Sequence, residues 1–172
     1  MKFEAKRSAT DGDTVMHGVG IQRVAGLVAL AALAVDQLTK WLAEQWLAGG
    51  DVAVAPFFNL VLLHNRGISF GLFQSAFTQS GPWLPTVLAL GIVAALSVWV
   101  RQTRRRIDAV ALGSIIGGAL GNVVDRVLQG AVTDFLDFHL AGHHWPAFNM
   151  ADVAVVTGAS LLALSSFRGD KQ

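Results

Sequence analysis

IDAVALGSIIGGALGNVVDR, residues Ile107–Arg126, is an apolar stretch of helix length that closes on a carboxylate and a guanidinium, Asp125 and Arg126. A helix rising 1.5 Å per residue needs about 20 residues to cross ~30 Å of hydrocarbon. The stretch reaches that length only if Asp125 is counted at its end. The next apolar segment, Asn149–Arg168, mirrors it and carries Asp152 at its beginning, within PAFNMADVAVV (Pro146–Val156). Charge near a bilayer core is costly and is retained mainly where it has a function.

Composition sets the class around these two segments. The 172 residues are 53% hydrophobic and only 15% charged, with a mean hydropathy of +0.50. That balance indicates a polytopic membrane protein. The absence of cysteine excludes disulfides, thiol nucleophiles and cysteine metal sites. No internal repeat supports a solenoid or an inverted-repeat transporter.

Four spans are expected, at about 21–47, 83–101, 107–126 and 149–168. The second lies inside the uncharged stretch Gly67–Val100, where Gly81, Pro82 and Pro85 place the helix start near Trp83. Ten of the 13 Lys and Arg residues fall on one side: Lys2, Lys6, Arg7, Arg23, Arg101, Arg104, Arg105, Arg106, Arg168 and Lys171. The positive-inside rule makes that side cytoplasmic, with both termini inside. Residues 1–20 are polar and mixed in charge, with no apolar core for a cleavable signal peptide; a disordered cytoplasmic tail is expected there, and a short one at 169–172. Residues 21–168 then form one four-helix membrane domain. The two outer connections are 48–82 and 127–148. The first contains AVAPFFNLVLLHN (Ala53–Asn65), β-prone and suited to a small extracytoplasmic sheet. The fold class is thus an all-α membrane protein with a small outer β-sheet and loop subdomain.

This topology puts Asp125, at the outer end of the third span, and Asp152, at the outer start of the fourth, at one depth. Gly118, Asn122 and Asp125 share a helix face, with Arg126 adjacent. Gly113, Gly117 and Gly121 form overlapping small-xxx-small steps, which serve close packing or a substrate contact. Asn149 and Asp152 also fit a helix N-cap and its N3 acid. On the first span, Asp36 and Lys40 have i, i+4 spacing and suit an ion pair inside the bundle, or contact with a substrate or headgroup. Asn65 and Gly67, in HNRGISFG (His64–Gly71), serve either a turn or the orientation of a carboxylate. His139 and His143 have the i, i+4 spacing of a zinc pair, but HLAGHHWP holds Gly142 and Pro146 and lacks the glutamate of the zinc-protease motif.

Taken together, DQLTK (Asp36–Lys40), NRGISFG (Asn65–Gly71), GGALGNVVDR (Gly117–Arg126), VTDFLDF (Val132–Phe138) and PAFNMAD (Pro146–Asp152) resemble the bacterial lipoprotein signal peptidase (signal peptidase II) family over roughly Val35–Ser160. Ser69 stands where many relatives carry alanine. The resemblance implies an aspartic endopeptidase of the bacterial inner membrane whose active site lies near the extracytoplasmic face. Asp125 and Asp152 are expected as the catalytic pair, with Asp36, Lys40, Asn65, Gly67, Asn122, Arg126 and Asn149 binding substrate or supporting the site. Its implied substrates are prolipoproteins diacylglyceryl-modified on the lipobox cysteine, cut just before that cysteine. Lipid-modified prolipoproteins and membrane phospholipids are then the partners, with no nucleic acid, no metal, no cofactor and a monomeric enzyme. Two close carboxylates share a proton, so one deprotonates water while the other polarises the scissile carbonyl. A small proton-coupled transporter using Asp36, Asp125 and Asp152 as a relay is the competing reading, and a non-catalytic scaffold a third.

Overall fold

The computed structural model describes residues 5–66 and 83–169, with side chains for 20–66 and 83–167. Gly67 and Ser69 lie outside the described residues. Four helices follow the expected order: α1 (Ala5–Trp46), α2 (Trp83–Gln102), α3 (Arg106–Gln129) and α4 (Met150–Gly169). Each contains a segment long and apolar enough to span a bilayer, of 27, 20, 24 and 18 residues, the first being Gly20–Trp46. α1 continues N-terminally to Ala5, whereas the composition of residues 1–20 predicts a disordered tail. Once the span has nucleated a helix, each further residue adds a hydrogen bond without a new nucleation cost.

The helix ends have local causes. Pro85 falls in the first turn of α2, where a missing N–H costs nothing. α3 stops at Gly130, whose left-handed φ of 73° lets its N–H return to the Arg126 carbonyl at 3.1 Å. α4 opens on a reciprocal cap: the Asp152 N–H donates to Asn149 Oδ1 at 3.1 Å, and the Asn149 N–H to Asp152 Oδ2 at 3.2 Å.

α3 is the central helix. Of its apolar window 44% is buried, against 11–17% for the other three, which leave most of their surface for lipid. Small residues make this close packing possible. A Cβ on Gly113 or Gly117 would collide with the Ala25 or Ala29 carbonyl of α1; one on Gly118 would meet the Ala151 carbonyl of α4, and one on Gly121 the Asp36 carboxylate. The glycine steps are therefore packing positions.

Beyond the helix ends lies an antiparallel four-stranded sheet in the order β1 (Val52–Ala55), β2 (Phe58–Asn65), β3 (Val132–Leu140) and β4 (His143–His144). β1 and β2 come from the stretch expected to be β-prone. β3 and β4 come from the second connection, for which no strand was expected. β3 lies antiparallel along β2, from Asn65↔Val132 to Phe58↔Phe138. A cluster of Ala43, Leu47 and Phe135, flanked by Leu60, Leu136 and Met150, fixes the sheet to the ends of α1 and α4. This placement of β3 brings its acidic residue Asp134 to the helix ends.

Candidate active site

Two polar networks meet where α1, α3, α4 and the sheet converge. The first is buried and centred on Lys40. Its Nζ lies 2.8 Å from Asp36 Oδ2, 2.7 Å from Asp125 Oδ2 and 2.8 Å from Asn122 Oδ1. Asp36, fully buried, also accepts the Ala151 N–H at 2.8 Å. Asp125 is 2% exposed, and both of its oxygens are engaged. Oδ1 accepts from Gln37 Nε2 at 2.9 Å, and Oδ2 accepts the Thr133 N–H at 3.2 Å besides the Lys40 ammonium. The i, i+4 pair of Asp36 and Lys40 is thus the ion pair its spacing predicts, shared with a second carboxylate.

The second network opens on a cavity of about 240 Å³. Asp134 and Asp152 both line it, together with Asn65, Asn122, Arg126 and Trp145. Asn149, fully buried, ties the two acids together: Nδ2 donates to Asp134 Oδ1 at 2.7 Å while its N–H donates to Asp152 Oδ2. Asn122 Nδ2 donates to Asp152 Oδ1 at 3.1 Å, and Asn65 Nδ2 to Asp134 Oδ2 at 3.0 Å. The Arg126 guanidinium lies in the field of Asp152, Asp134 and Asp125. A second opening, of about 400 Å³, joins the first at Asn65, Asp134, Pro146 and Ala147 and extends along Leu63, His64 and Arg66.

Burial pushes the Asp134 carboxyl up to about 6, and the charge of Asp152 acts in the same direction. Hydrogen bonds from Asn65 and Asn149 and the charge of Lys40 oppose the rise. Asp134 thus titrates near the pH range in which a carboxyl works as a general acid.

The sequence-predicted residues therefore divide. Asn65, Asn122, Arg126 and Asp152 line the cavity; Asn149 braces it from behind, so that its cap role and its site role coincide. Asp36, Lys40 and Asp125 form the buried network and are not among the residues lining the cavity. Asp134 is the residue that sequence reasoning missed. Its signal was present in VTDFLDF, an acid flanked by Val132 and Phe135 in a β-prone run, but with no strand expected there it had no position relative to the helices.

His139 and His143 lie on paired strands, so their spacing is not the helical one that a zinc pair requires. His139 instead pairs with His144, the rings stacking at 4.8 Å. His144 Nδ1 lies 2.8 Å from Asp137, a contact that holds the Asp137 carboxyl below the usual carboxylate range. Among the described residues no group of three or more His, Asp or Glu side chains is arranged to hold a metal.

Comparison with known proteins agrees with this architecture. The chain is 42% identical over 149 residues to a lipoprotein signal peptidase of Beijerinckia indica subsp. indica, covering 85% of this chain and 89% of that one. It is 46% identical over 151 residues to a lipoprotein signal peptidase of Methylorubrum extorquens, covering 83% and 85%. A bacterial membrane enzyme solved by the in meso method at 2.3 Å resolution superposes with a TM-score of 0.70 at 28% identity, over 86% of this chain and 89% of that one. A second, at 1.9 Å resolution, gives 0.70 at 29% identity, over 82% and 90%. The family model described as Signal peptidase (SPase) II matches residues 28–168, nearly all of the membrane domain, and the chain belongs to that family.

Proposed function

We propose that this chain is a lipoprotein signal peptidase that removes the signal peptide of prolipoproteins by an aspartic mechanism, with Asp134 and Asp152 as the catalytic pair. The observation that carries the assignment of the pair is that these two carboxylates line one cavity and are bridged by Asn149. Asp125, the partner expected from the sequence, has both oxygens engaged by Lys40, Gln37 and the Thr133 N–H.

The pair shares one proton, since two close carboxylates do not ionise together easily. The ionised member takes a proton from water as the water oxygen attacks the scissile carbonyl carbon, while the protonated member donates to the carbonyl oxygen. Collapse of the tetrahedral intermediate returns the proton to the leaving nitrogen of the cysteine. Asn65 and Asn149 hold Asp134, and Asn122 holds Asp152, so that both reach the carbonyl from fixed positions. The substrate is a prolipoprotein carrying diacylglyceryl on its lipobox cysteine. The site lies where the helices meet the sheet, a position that admits water while acyl chains stay in lipid. All of these residues belong to one chain, so a monomer suffices. A proton relay of the transporter type is not favoured, because Lys40 pairs with both Asp36 and Asp125 and the acids concentrate at one layer.

The test is cleavage of a diacylglyceryl lipobox peptide by the purified protein, with the cut just before the modified cysteine; no cleavage of that peptide by correctly folded protein would overturn the reading.

We place the protein in the bacterial inner membrane with both termini in the cytoplasm and the site toward the outer face, on the basic-residue asymmetry. Reporters fused after Gln172 and within Arg101–Arg106 are expected to read as cytoplasmic, and one within Ala141–His144 as extracytoplasmic. A cytoplasmic reading at 141–144 separates the site from the outer leaflet and rejects this orientation.

A further inference from the structure

The second opening has no part in the hydrolytic steps above, yet it is continuous with the cavity. The two share Asn65, Asp134, Pro146 and Ala147, whereas Leu63, His64 and Arg66 line only the second. Its volume of about 400 Å³ lies within the range of pockets that hold a ligand, about 300–1,000 Å³. Among the described residues, none that lines it belongs to a helix; it follows the end of β2 and the connection that precedes α4. A peptide held with its scissile bond in the cavity leaves in two directions. The signal-peptide side is apolar and stays beside the lipid-exposed helices. A wall carrying an arginine and a histidine does not suit it, since a cation set against apolar side chains loses hydration without gaining a partner. The mature side is polar and departs into water past the sheet.

We infer that the second opening is the subsite for the mature segment that follows the modified cysteine, and that Arg66 gives it a preference for acidic residues there. The inference rests on the reading of the chain as a prolipoprotein-cleaving enzyme with the cavity as its site. Charges of opposite sign stand at different places along the path. Asp134 is at the junction of the two openings, held by Asn65 Nδ2 at 3.0 Å and Asn149 Nδ2 at 2.7 Å. Arg66 is exposed and lines only the part away from the cavity, with His64 beside it as a second basic group. The residue next to the cut therefore meets the carboxylate, and those further on meet the guanidinium. An arginine keeps its charge at every working pH and presents a planar fork that matches a carboxylate. The preference thus belongs to the second and third residues of the mature segment, counted from the modified cysteine.

The experiment compares kcat/KM for diacylglyceryl lipobox peptides that differ only at those two residues, with aspartate, serine or lysine at both. The wild-type ratio of the aspartate to the lysine peptide is expected to be about fivefold, one attraction and one repulsion at a partly exposed cation. It falls toward one as salt rises from about 0.1 M to about 1 M, where the screening length drops from ~10 Å to ~3 Å. Arg66→Gln is expected to bring the ratio to one or below, since Asp134 remains, and Arg66→Glu to invert it. Both peptides are measured on one preparation, so any loss of folded protein cancels in the ratio. Arg106→Glu, at the end of α3 away from the site, is the control for general surface charge and is expected to keep the wild-type ratio. A ratio that Arg66→Glu leaves unchanged, or that Arg106→Glu alters as much, overturns the inference. If the wild type cuts the serine peptide but shows no preference, the subsite fails and the peptidase reading stands. If folded protein cuts none of the lipidated peptides, that reading fails and the subsite with it.

Discussion

Asp134→Asn and Asp152→Asn are each expected to lower cleavage of a lipidated lipobox peptide by at least ~10²-fold, because an amide of the same shape neither takes a proton from water nor gives one to the carbonyl. Folding should survive both changes. The amide oxygen introduced by Asp134→Asn still accepts one of the hydrogen bonds from Asn65 and Asn149, and the one introduced by Asp152→Asn still accepts from the Asn149 N–H. Asp125→Asn is the discriminating control. Its oxygen keeps an acceptor for Thr133, while the ion pair with Lys40 is lost, and that loss falls on stability: breaking a buried pair costs roughly 3 kcal/mol or more where no partner remains, and here Lys40 retains Asp36. The folded Asp125→Asn enzyme is expected to turn over well above the level of the Asp134 and Asp152 variants. Turnover near wild type by Asp134→Asn, with Asp125→Asn inactive though folded, would restore Asp125 to the pair.

Gly117→Val is expected to have the largest effect on folding. A Cβ at Gly117 falls against the Ala29 carbonyl oxygen and Cα and the Ala32 Cβ, none of which is a flexible side-chain end. Overpacking of this kind typically costs ~1–3 kcal/mol when neighbours can adjust. Here the adjusting part is the α1 backbone, and displacing it from α3 separates Asp36 and Lys40 from Asp125 and Asn122. Thermal unfolding in detergent should show a large drop in Tm and loss of activity together. Gly91→Val on α2 is the matched control, since nothing lies within 4 Å of a Cβ there. Equal stability of the two variants would show that the α1–α3 approach is looser than described.

The placement of Asp134 shows how far the chain was legible. The spans followed from unbroken apolar length, and the start of α2 from Pro82 and Pro85. The pairing of Asp36 with Lys40 followed from i, i+4 spacing, because a helix fixes which side chains meet. The cap at Asn149 and Asp152 was readable for the same reason. These are local relations, set within one element by its own periodicity. The histidines show the converse: i, i+4 spacing is meaningful only on a helix, and His139 and His143 lie on strands.

By itself, then, the sequence determined four spans, a β-prone first connection, the family motifs and Asp152 at the head of the last helix. It also led to the expectation that Asp125 and Asp152 share one depth. Only the tertiary structure brought Asp134 into the cavity that Asp152 lines. β3 forms because Val132–Leu140 finds β2 across the fold, and that pairing carries Asp134 into the cavity while the close α1–α3 contact hands Asp125 to Lys40. The physical reason is range. Helical neighbours are fixed by bonds a few residues apart, whereas strand pairing and the capture of a buried charge depend on partners distant in the chain, whose positions no local pattern records.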